Sequence, residues 1–212
     1  MSDTELRQRI LTSAREYFFA NGFSKTTMDE LAHSMGMSKK TIYKFFTSKD
    51  DIVRAITQEK LQRIMTRCEA IRLNESMEFI DRIKNTITYI TNEMRQMSPT
   101  FSLDVQRTMP ELWREVESFR NETVMNEFAQ MVKQGVQLGI FRSDVNAHVF
   151  VLMYAAAMRA IVNPEVLSHL PVDLSQAYQA AVTVFFEGMM TEEGRAKYRT
   201  KINEQSKEEV HA

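Results

Sequence analysis

The chemistry that this sequence offers lies in one short stretch, residues 24–49. The stretch contains five lysines, one aspartate and one glutamate, so its formal charge is 5 − 2 = +3, whereas the whole chain has a formal net charge of −1. A positive charge confined to one segment is typical of a surface that binds phosphate. Lysine ammonium groups also donate hydrogen bonds to the guanine acceptors in the major groove of DNA. The composition of residues 24–49 therefore predicts a surface that binds nucleic acid.

Two short helices joined by a turn must position this surface. Apolar residues repeat at helical spacing before and after Gly36. They are Leu31, Ala32, Met35, Ile42 and Phe46. Glycine at the interruption favours a sharp turn, because a residue without Cβ adopts left-handed dihedral angles at little cost. Thr27 and Glu30 have the spacing of a capping box for the first helix, and Ser38 is suited to cap the second. The stretch therefore has the pattern of a helix-turn-helix.

The second helix of this pair presents a polar, basic and aromatic face to solvent when Ile42 and Phe46 turn inward. A helix of this width fits the major groove, where lysine and threonine side chains reach base edges. Hydroxyl groups and a lysine at helix starts suit the phosphates. The predicted DNA-binding residues are Thr26, Thr27, Ser38, Lys39, Lys40, Thr41, Tyr43, Lys44 and Lys49. The alternative for this stretch is a structural helical hairpin whose lysines are only solvated.

The run TTMDELAHSMGMSKKTIYKFFTSKDDI, preceded by a helix that ends in FFANGF, resembles a known DNA-binding domain. It is similar to that of the tetracycline-repressor (TetR/AcrR) family of bacterial transcription regulators, over residues 5–56. Two positions depart from the usual pattern: Lys40 replaces a small residue, and Lys44 with Phe45 replaces a His or Tyr pair. These departures leave the operator sequence open. The resemblance implies a homodimeric regulator that responds to an effector and is most often a repressor.

The composition is that of an ordinary globular protein, with 43% hydrophobic and 26% charged residues. Its longest apolar run, 149–158, is far shorter than the roughly 20 residues that a membrane-spanning helix needs. The N-terminal residues contain acids and no apolar segment, which argues against a secretory signal. A single cysteine, Cys68, forms no internal disulfide and agrees with a reducing compartment. We therefore expect a cytoplasmic protein.

The remainder of the chain is also predicted to be helical, because it has no strand-like alternation and no internal repeat. We predict an all-α fold of about nine helices. A three-helix helix-turn-helix DNA-binding domain would occupy residues 1–47, and a larger helical domain for effector binding and dimerisation would occupy residues 48–212. The predicted helices outside the helix-turn-helix pair span residues 3–21, 48–72, 76–97, 100–108, 110–138, 145–163 and 174–190. The helix from residue 48 is long enough to connect the two domains.

Methionines and aromatic residues are concentrated in the fifth to eighth predicted helices. Methionine is flexible and polarizable, so a cavity lined with it accepts varied apolar ligands. The family resemblance also implies an effector pocket among these helices. The predicted effector-binding residues are Tyr89, Met94, Phe101, Met109, Trp113, Met125, Phe128, Tyr154 and Met158. Ordinary core packing is the alternative for each of them, and nothing in the sequence names the ligand.

The two predicted helices 145–163 and 174–190 are the most apolar of the chain and carry several alanines that allow close approach. A second copy would complete a four-helix bundle by two-fold symmetry, so we predict a homodimer through these helices. Packing within one chain is the alternative.

An enzyme has little support in this sequence. The four histidines do not form a paired metal-ligand motif, and no glycine-rich phosphate loop is present, so we predict no catalytic residue, metal or cofactor. The predicted partners are an operator in double-stranded DNA and an unidentified small-molecule effector, with no membrane. The alternatives are a regulator or activator without a small-molecule effector, including one with a protein partner, and a helical scaffold that does not bind DNA.

Overall fold

A computed structural model describes residues 2–96 and 98–200, except for the side chains of Val124 and Met125. These residues form helices joined by short connections, and no strand occurs among them, which confirms the all-α prediction. The helices are α1 (Asp3–Asn21), α2 (Met28–Ser34), α3 (Lys39–Tyr43), α4 (Lys49–Arg72), α5 (Phe79–Arg95), α6 (Pro99–Thr108), α7 (Pro110–Gln137), α8 (Ala147–Ile161), α9 (Pro164–Leu167) and α10 (Leu174–Met189). Residues 192–200 are helical as well. None of the helices in the described part of the chain is both long and apolar enough to cross a membrane.

Two helices differ from the sequence prediction for local reasons. Helix α5 begins at Phe79 and not near residue 76, because the carboxamide oxygen of Asn74 accepts the backbone N–H of Ser76 at 3.1 Å. A side chain that captures a nearby backbone donor competes with the helix. Helix α9 lies in the predicted connection between α8 and α10, and its four residues are too few to show a helical period. Asn163 caps it, and Pro164 occupies its first turn.

The first compact unit comprises the described residues of Met1–Ile64 and Met97–Glu117. Helices α1 to α3 and the loop between α1 and α2 share a buried core in this unit. This core includes Ile10, Ala14, Phe18, Phe23, Leu31, Ile42 and Phe46. Helix α6 joins this core, because the ring centroid of Phe101 lies 6.4 Å from that of Phe18 and 5.1 Å from that of Phe19. Helices α1 to α3 therefore share their core with α4 and also with α6, which lies about 80 residues later in the chain.

The second compact unit comprises the described residues of Met65–Gln96 and Ser118–Ala212. Helix α10 packs against α5 and α8, and aromatic rings fill the core between them. A Cβ added at Gly135 would lie only 2.2 Å from the ring of Phe141, so the backbone of α7 packs closely against this ring. The compact units divide the chain differently from the predicted domains 1–47 and 48–212, because α6 packs with α1. As functional assignments, those two domains remain predictions.

Candidate nucleic-acid interface

The turn between α2 and α3 has the geometry that the sequence predicts. Gly36 has a φ of +63°, and the N–H of Met37 donates to the carbonyl of Ala32 at 3.0 Å. This bond ties the turn back to α2, as in a helix that ends on a left-handed glycine. Met37 then packs against the core of the unit. The turn therefore holds α3 in a defined orientation to α2.

Side-chain caps fix the start of each helix in the pair. The Thr27 hydroxyl accepts the N–H of Glu30 at 3.2 Å, and the Glu30 carboxylate accepts the N–H of Thr27 at 2.8 Å. The backbone N–H of Thr27, followed by its hydroxyl, lowers the pKa of Glu30 below its ordinary value. Ser38 accepts the N–H of Thr41 at 3.1 Å and so caps α3. These caps confirm the two predicted helix starts.

Helix α3 buries Ile42 completely and leaves its opposite face exposed. Lys40, Tyr43 and Lys44 lie on that exposed face, and Tyr43 is 47% exposed. An amphipathic helix of one and a half turns with a basic outer face has the dimensions to enter a major groove. Lys39 and the capping residues Thr27 and Ser38 are also exposed. The structure therefore brings most of the predicted DNA-binding residues to one polar surface of the first unit.

Two of the lysines on this surface form ion pairs with carboxylates of the same unit. The Lys44 ammonium lies 2.9 Å from both carboxylate oxygens of Asp3, at the start of α1. The Lys39 ammonium lies 2.5 Å from a carboxylate oxygen of Asp29. Among the described residues, Lys40 has no ion-pair partner. In this structure Lys40 is thus the lysine of α3 that is most open to an incoming phosphate or base.

Two predicted DNA-binding residues lie elsewhere. Thr26 is only 3% exposed, and its hydroxyl donates to the carbonyl of Gly22 at 2.7 Å. The ammonium of Lys49 turns toward the loop before α2 and donates to three backbone carbonyls there. Both side chains thus donate to backbone carbonyls of this loop, which need hydrogen-bond partners. The expectation that they face DNA phosphates does not match their placement.

Three of the predicted effector-binding residues lie in the first unit. Phe101 and Met109 are buried in its core, and Trp113 packs against that core. This position follows from the packing of α6 against α1. The side chain of Met125, a fourth predicted residue, lies outside the described residues. The predicted set is therefore divided between the two units.

Four other predicted effector-binding residues lie in or against the core of the second unit. They are Met94, Phe128, Tyr154 and Met158. The rings of Phe128 and Tyr154 stack with their centroids 4.1 Å apart. Burial raises the pKa of Tyr154 to about 12, and burial together with Tyr154 raises that of Tyr178. In this structure these side chains pack as a filled aromatic core.

The second unit has an open cavity of about 340 Å³ between the end of α4 and α5. Its lining combines one guanidinium, three carboxamides and several apolar groups. The lining residues are Arg67, Ala70, Ile71, Asn74, Met77, Asn85, Thr88, Tyr89 and Asn92. Of the predicted effector-binding residues, Tyr89 belongs to this lining. Sequence periodicity did not indicate the cavity, because its polar residues resemble an ordinary solvated helix face.

Groups that could hold a metal or act as a nucleophile are scarce in the described part of the chain. No three His, Cys, Asp or Glu side chains there lie close enough together to bind a metal ion. Burial raises the pKa of the Cys68 thiol to about 11. The reactive thiolate is therefore only sparsely populated at neutral pH.

Comparison with known families identifies the first unit. Residues 10–56 match the model described as "Bacterial regulatory proteins, tetR family". These residues include the capped helix pair and its exposed basic face. The chain carries a DNA-binding domain of the TetR family. It is a transcriptional regulator of the TetR type, with a helix-turn-helix that binds DNA.

Curated HTH-type transcriptional regulators are similar over most of the chain. An uncharacterized HTH-type transcriptional regulator of Bacillus subtilis (strain 168), YvaF, is 24% identical over 186 residues, which cover 88% of this chain and 96% of YvaF. The HTH-type transcriptional regulator UidR of Escherichia coli (strain K12) is 28% identical over 144 residues, 66% of this chain and 71% of UidR. The similarity therefore extends well beyond the helix-turn-helix.

A solved TetR-fold structure shares the architecture of both units. The transcriptional regulator FadR from Bacillus subtilis in complex with stearoyl-CoA superposes with a TM-score of 0.62. It is 18% identical, and the match covers 86% of this chain and 98% of FadR. At this identity the likeness concerns the fold.

Proposed function

We propose that this TetR-family regulator is a homodimeric repressor that binds a palindromic operator and is released by a small apolar or amphipathic effector. Its main support is the exposed face of α3 and its C-cap. Lys40, Tyr43 and Lys44 are exposed there and do not belong to the core of the first unit. Lysine at such positions reads guanine, and an aromatic ring packs against sugar or a thymine methyl group. Because the target is DNA, the protein acts in the cytoplasm.

The outer face of α8 supports the homodimer. Val149, Leu152 and Met153 are 52%, 55% and 56% exposed, and they share one stripe with the exposed Ala156 and Ala160. Spacings of three and four residues place all five on one side of the helix. A contiguous apolar stripe of this length is costly in water and is typical of a protein–protein interface.

Helix α10 offers a matching outer face. Val184 is 72% exposed, and Ala180 and Gly188 lie one turn away on either side. Since α8 and α10 pack against each other, their outer faces together form a two-helix surface. Two such surfaces related by a two-fold axis make a four-helix bundle. A two-fold dimer presents two copies of α3, and these match half-sites about 34–36 Å apart or at a multiple of that spacing.

The cavity between α4 and α5 supports an amphipathic effector over a purely apolar one. Arg67 and the carboxamides of Asn74 and Asn85 suit an anionic or polar group, while Ile71 and Met77 suit an apolar segment. FadR of Bacillus subtilis was solved with stearoyl-CoA, which combines both kinds of group. Release follows if the effector binds more tightly to a state of the dimer that does not fit the operator.

The proposal is tested first by selecting bound duplexes from a random DNA library. We expect an inverted repeat whose half-sites are one helical turn apart or a multiple of it. Lys40→Ala should weaken binding to the selected duplex more than to random duplex, because a base contact carries the sequence preference. Enrichment of no sequence at low salt would overturn the DNA-binding role, and enrichment of single half-sites would overturn the paired geometry.

The effector is tested on the selected operator. Stearoyl-CoA and a set of shorter acyl-CoA and free fatty acid probes are titrated against the protein–operator complex. We expect at least one probe to lower the bound fraction, and Arg67→Ala to shift that titration to higher concentration. Operator occupancy that is unaffected by every amphipathic compound would remove the effector from the proposal and favour a regulator that responds to a protein partner.

A further inference from the structure

The loop between α1 and α2, residues 22–26, is bound from two sides by residues that lie far away in the sequence. Gly22 has a φ of +80°, a conformation that favours glycine. The N–H of Thr26 donates to the carbonyl of Phe23 at 3.2 Å, and Thr27 caps α2 immediately afterwards. The conformation of this loop therefore determines where α2 begins.

Asp104 of α6 binds the N–H groups of the loop. Its carboxylate accepts the backbone N–H of Phe23 at 3.0 Å and that of Ser24 at 3.1 Å, and it also accepts the Ser24 hydroxyl at 3.0 Å. A Cβ at Gly22 would lie 3.3 Å from the same carboxylate, which is a tight contact. Hydrogen bonds to a charged acceptor are about twice as strong as neutral ones.

Lys49, the first residue of α4, binds the carbonyl groups of the same loop. Its ammonium donates to the carbonyls of Phe23, Ser24 and Thr26 at 3.1, 3.2 and 2.8 Å. It also lies 4.8 Å from the centroid of the Phe23 ring, a cation–π contact. An ammonium has three N–H bonds, so this loop uses its full donor capacity.

The two contacts are complementary. Asp104 accepts hydrogen bonds from N–H groups of the loop, and Lys49 donates hydrogen bonds to its carbonyl groups. Few backbone polar groups between residues 22 and 26 therefore remain without a partner. Helix α2 begins directly after the loop and carries α3 through the turn at Gly36. A displacement of the loop would therefore also displace α3.

We propose that Asp104 and Lys49 are positioning residues for DNA binding: together they hold the loop 22–26 and so set the orientation of α3. The role differs from a phosphate contact, because both side chains form their hydrogen bonds with the loop itself. It rests on DNA binding through α3 but requires neither the effector nor the homodimer of the proposed function.

The sign of the effect at Asp104 separates positioning from simple electrostatics. Removing a carboxylate from a DNA-binding unit strengthens binding if only charge matters. We expect Asp104→Ala to weaken binding to the selected operator about tenfold, equivalent to about 1.4 kcal/mol. Discrimination between operator and random duplex should fall, and Asp104→Asn should restore part of the affinity because it keeps a side-chain acceptor. Glu111→Ala, which removes a side chain that is 81% exposed on α7, is the matched charge control and should leave affinity unchanged or slightly stronger.

Lys49→Met supplies an independent test that keeps the packing over Phe23 and removes the donor. Relative to the wild type, we expect binding to the selected operator to weaken more than binding to random duplex, while the slope of log K against log salt concentration stays that of the wild type. A slope smaller by about 0.9 would identify a phosphate contact and overturn the positioning role of Lys49. Faster amide hydrogen exchange at Phe23 and Ser24 in Asp104→Ala, with helical content retained, is expected as the local signature.

The outcomes distinguish this inference from the proposed function. If the wild type binds its selected operator and Asp104→Ala binds it equally or more tightly, only the positioning role is overturned. If the wild type binds no duplex, both proposals fall. Should Asp104→Ala not fold, Ser24→Ala removes one of the same hydrogen bonds, and an unchanged operator affinity in that variant together with Lys49→Met would reject the inference.

Discussion

At the scale of single residues, the basic surface is partly neutralised by carboxylates of its own unit. Asp3 pairs with Lys44 and Asp29 pairs with Lys39, and in each pair both side chains are substantially exposed. Exposed ion pairs are weak and easily screened, so a DNA phosphate can replace the carboxylate. Each pair therefore lowers the electrostatic attraction of the unit for any duplex, but it does not prevent binding to a duplex of high affinity.

Asp3→Asn tests this effect directly. The change frees the Lys44 ammonium, so we expect binding to random duplex to strengthen by about threefold, a typical effect for an exposed pair. The salt slope should steepen, because Lys44 then displaces counterions without first losing a partner. Glu16→Gln removes an exposed carboxylate from the same helix and is the control. Equal changes in the two variants would show that net charge alone is responsible.

The capping box at α2 predicts a dependence of stability on pH. The hydrogen bonds from Thr27 hold the pKa of Glu30 below its usual value of 4.5, so ionised Glu30 stabilises the folded state. This contribution is present above the unfolded pKa and is lost as pH falls through the lower folded pKa. We expect Glu30→Gln to lower the free energy of unfolding at pH 7, and the difference from wild type to shrink below about pH 4.5. Urea titrations across this range measure it, and a difference that is constant with pH would contradict the assignment.

At the scale of secondary-structure elements, caps and glycines determine where the helices of the head begin and end. Thr27 and Ser38 satisfy N–H groups at the helix starts, and Gly36 reverses the chain. These signals act within four residues of the chain, so they are visible in the sequence. Helix α9 was not predicted, because a single turn has too few residues to show a helical repeat of apolar positions.

Gly36→Ala tests the turn between α2 and α3. No atom lies within 4 Å of an added Cβ, so the cost is that of the left-handed backbone alone. We expect the free energy of unfolding to fall by about 1 kcal/mol, measured by chemical denaturation. Gly36→Asn is the matched comparison and should cost less, because asparagine tolerates this conformation. If both variants are as stable as the wild type, the turn does not require the left-handed conformation.

At the scale of the whole molecule, the proposed homodimer connects the outer faces of α8 and α10 with DNA binding. Their exposed apolar side chains lie on the same unit surface and are expected to be covered by a second copy. Only a two-fold assembly presents two recognition helices at a fixed spacing. Dimer formation and operator affinity should therefore be lost together.

Leu152→Asp tests this link. A buried unpaired charge at the centre of a two-fold interface is repeated in both copies, so we expect a monomer at micromolar concentration in light scattering. Affinity for the full operator should fall to that for a single half-site. Leu73→Asp places the same charge at an equally exposed apolar position that is not on α8 or α10, and it should remain dimeric. A dimeric Leu152→Asp variant with full operator affinity would show that the interface lies elsewhere.

The sequence by itself determined the all-α class, the bounds of most helices and the helix-turn-helix. Those features depend on caps, glycines and apolar spacing within a few residues, and each such signal is local. Only the tertiary structure decided that Lys49 and Thr26 face inward, that Asp104 holds the loop 22–26, and that α6 packs with α1. These contacts join residues as far as 83 positions apart. No local pattern encodes such a pair, because the side chains meet only after the intervening helices have packed.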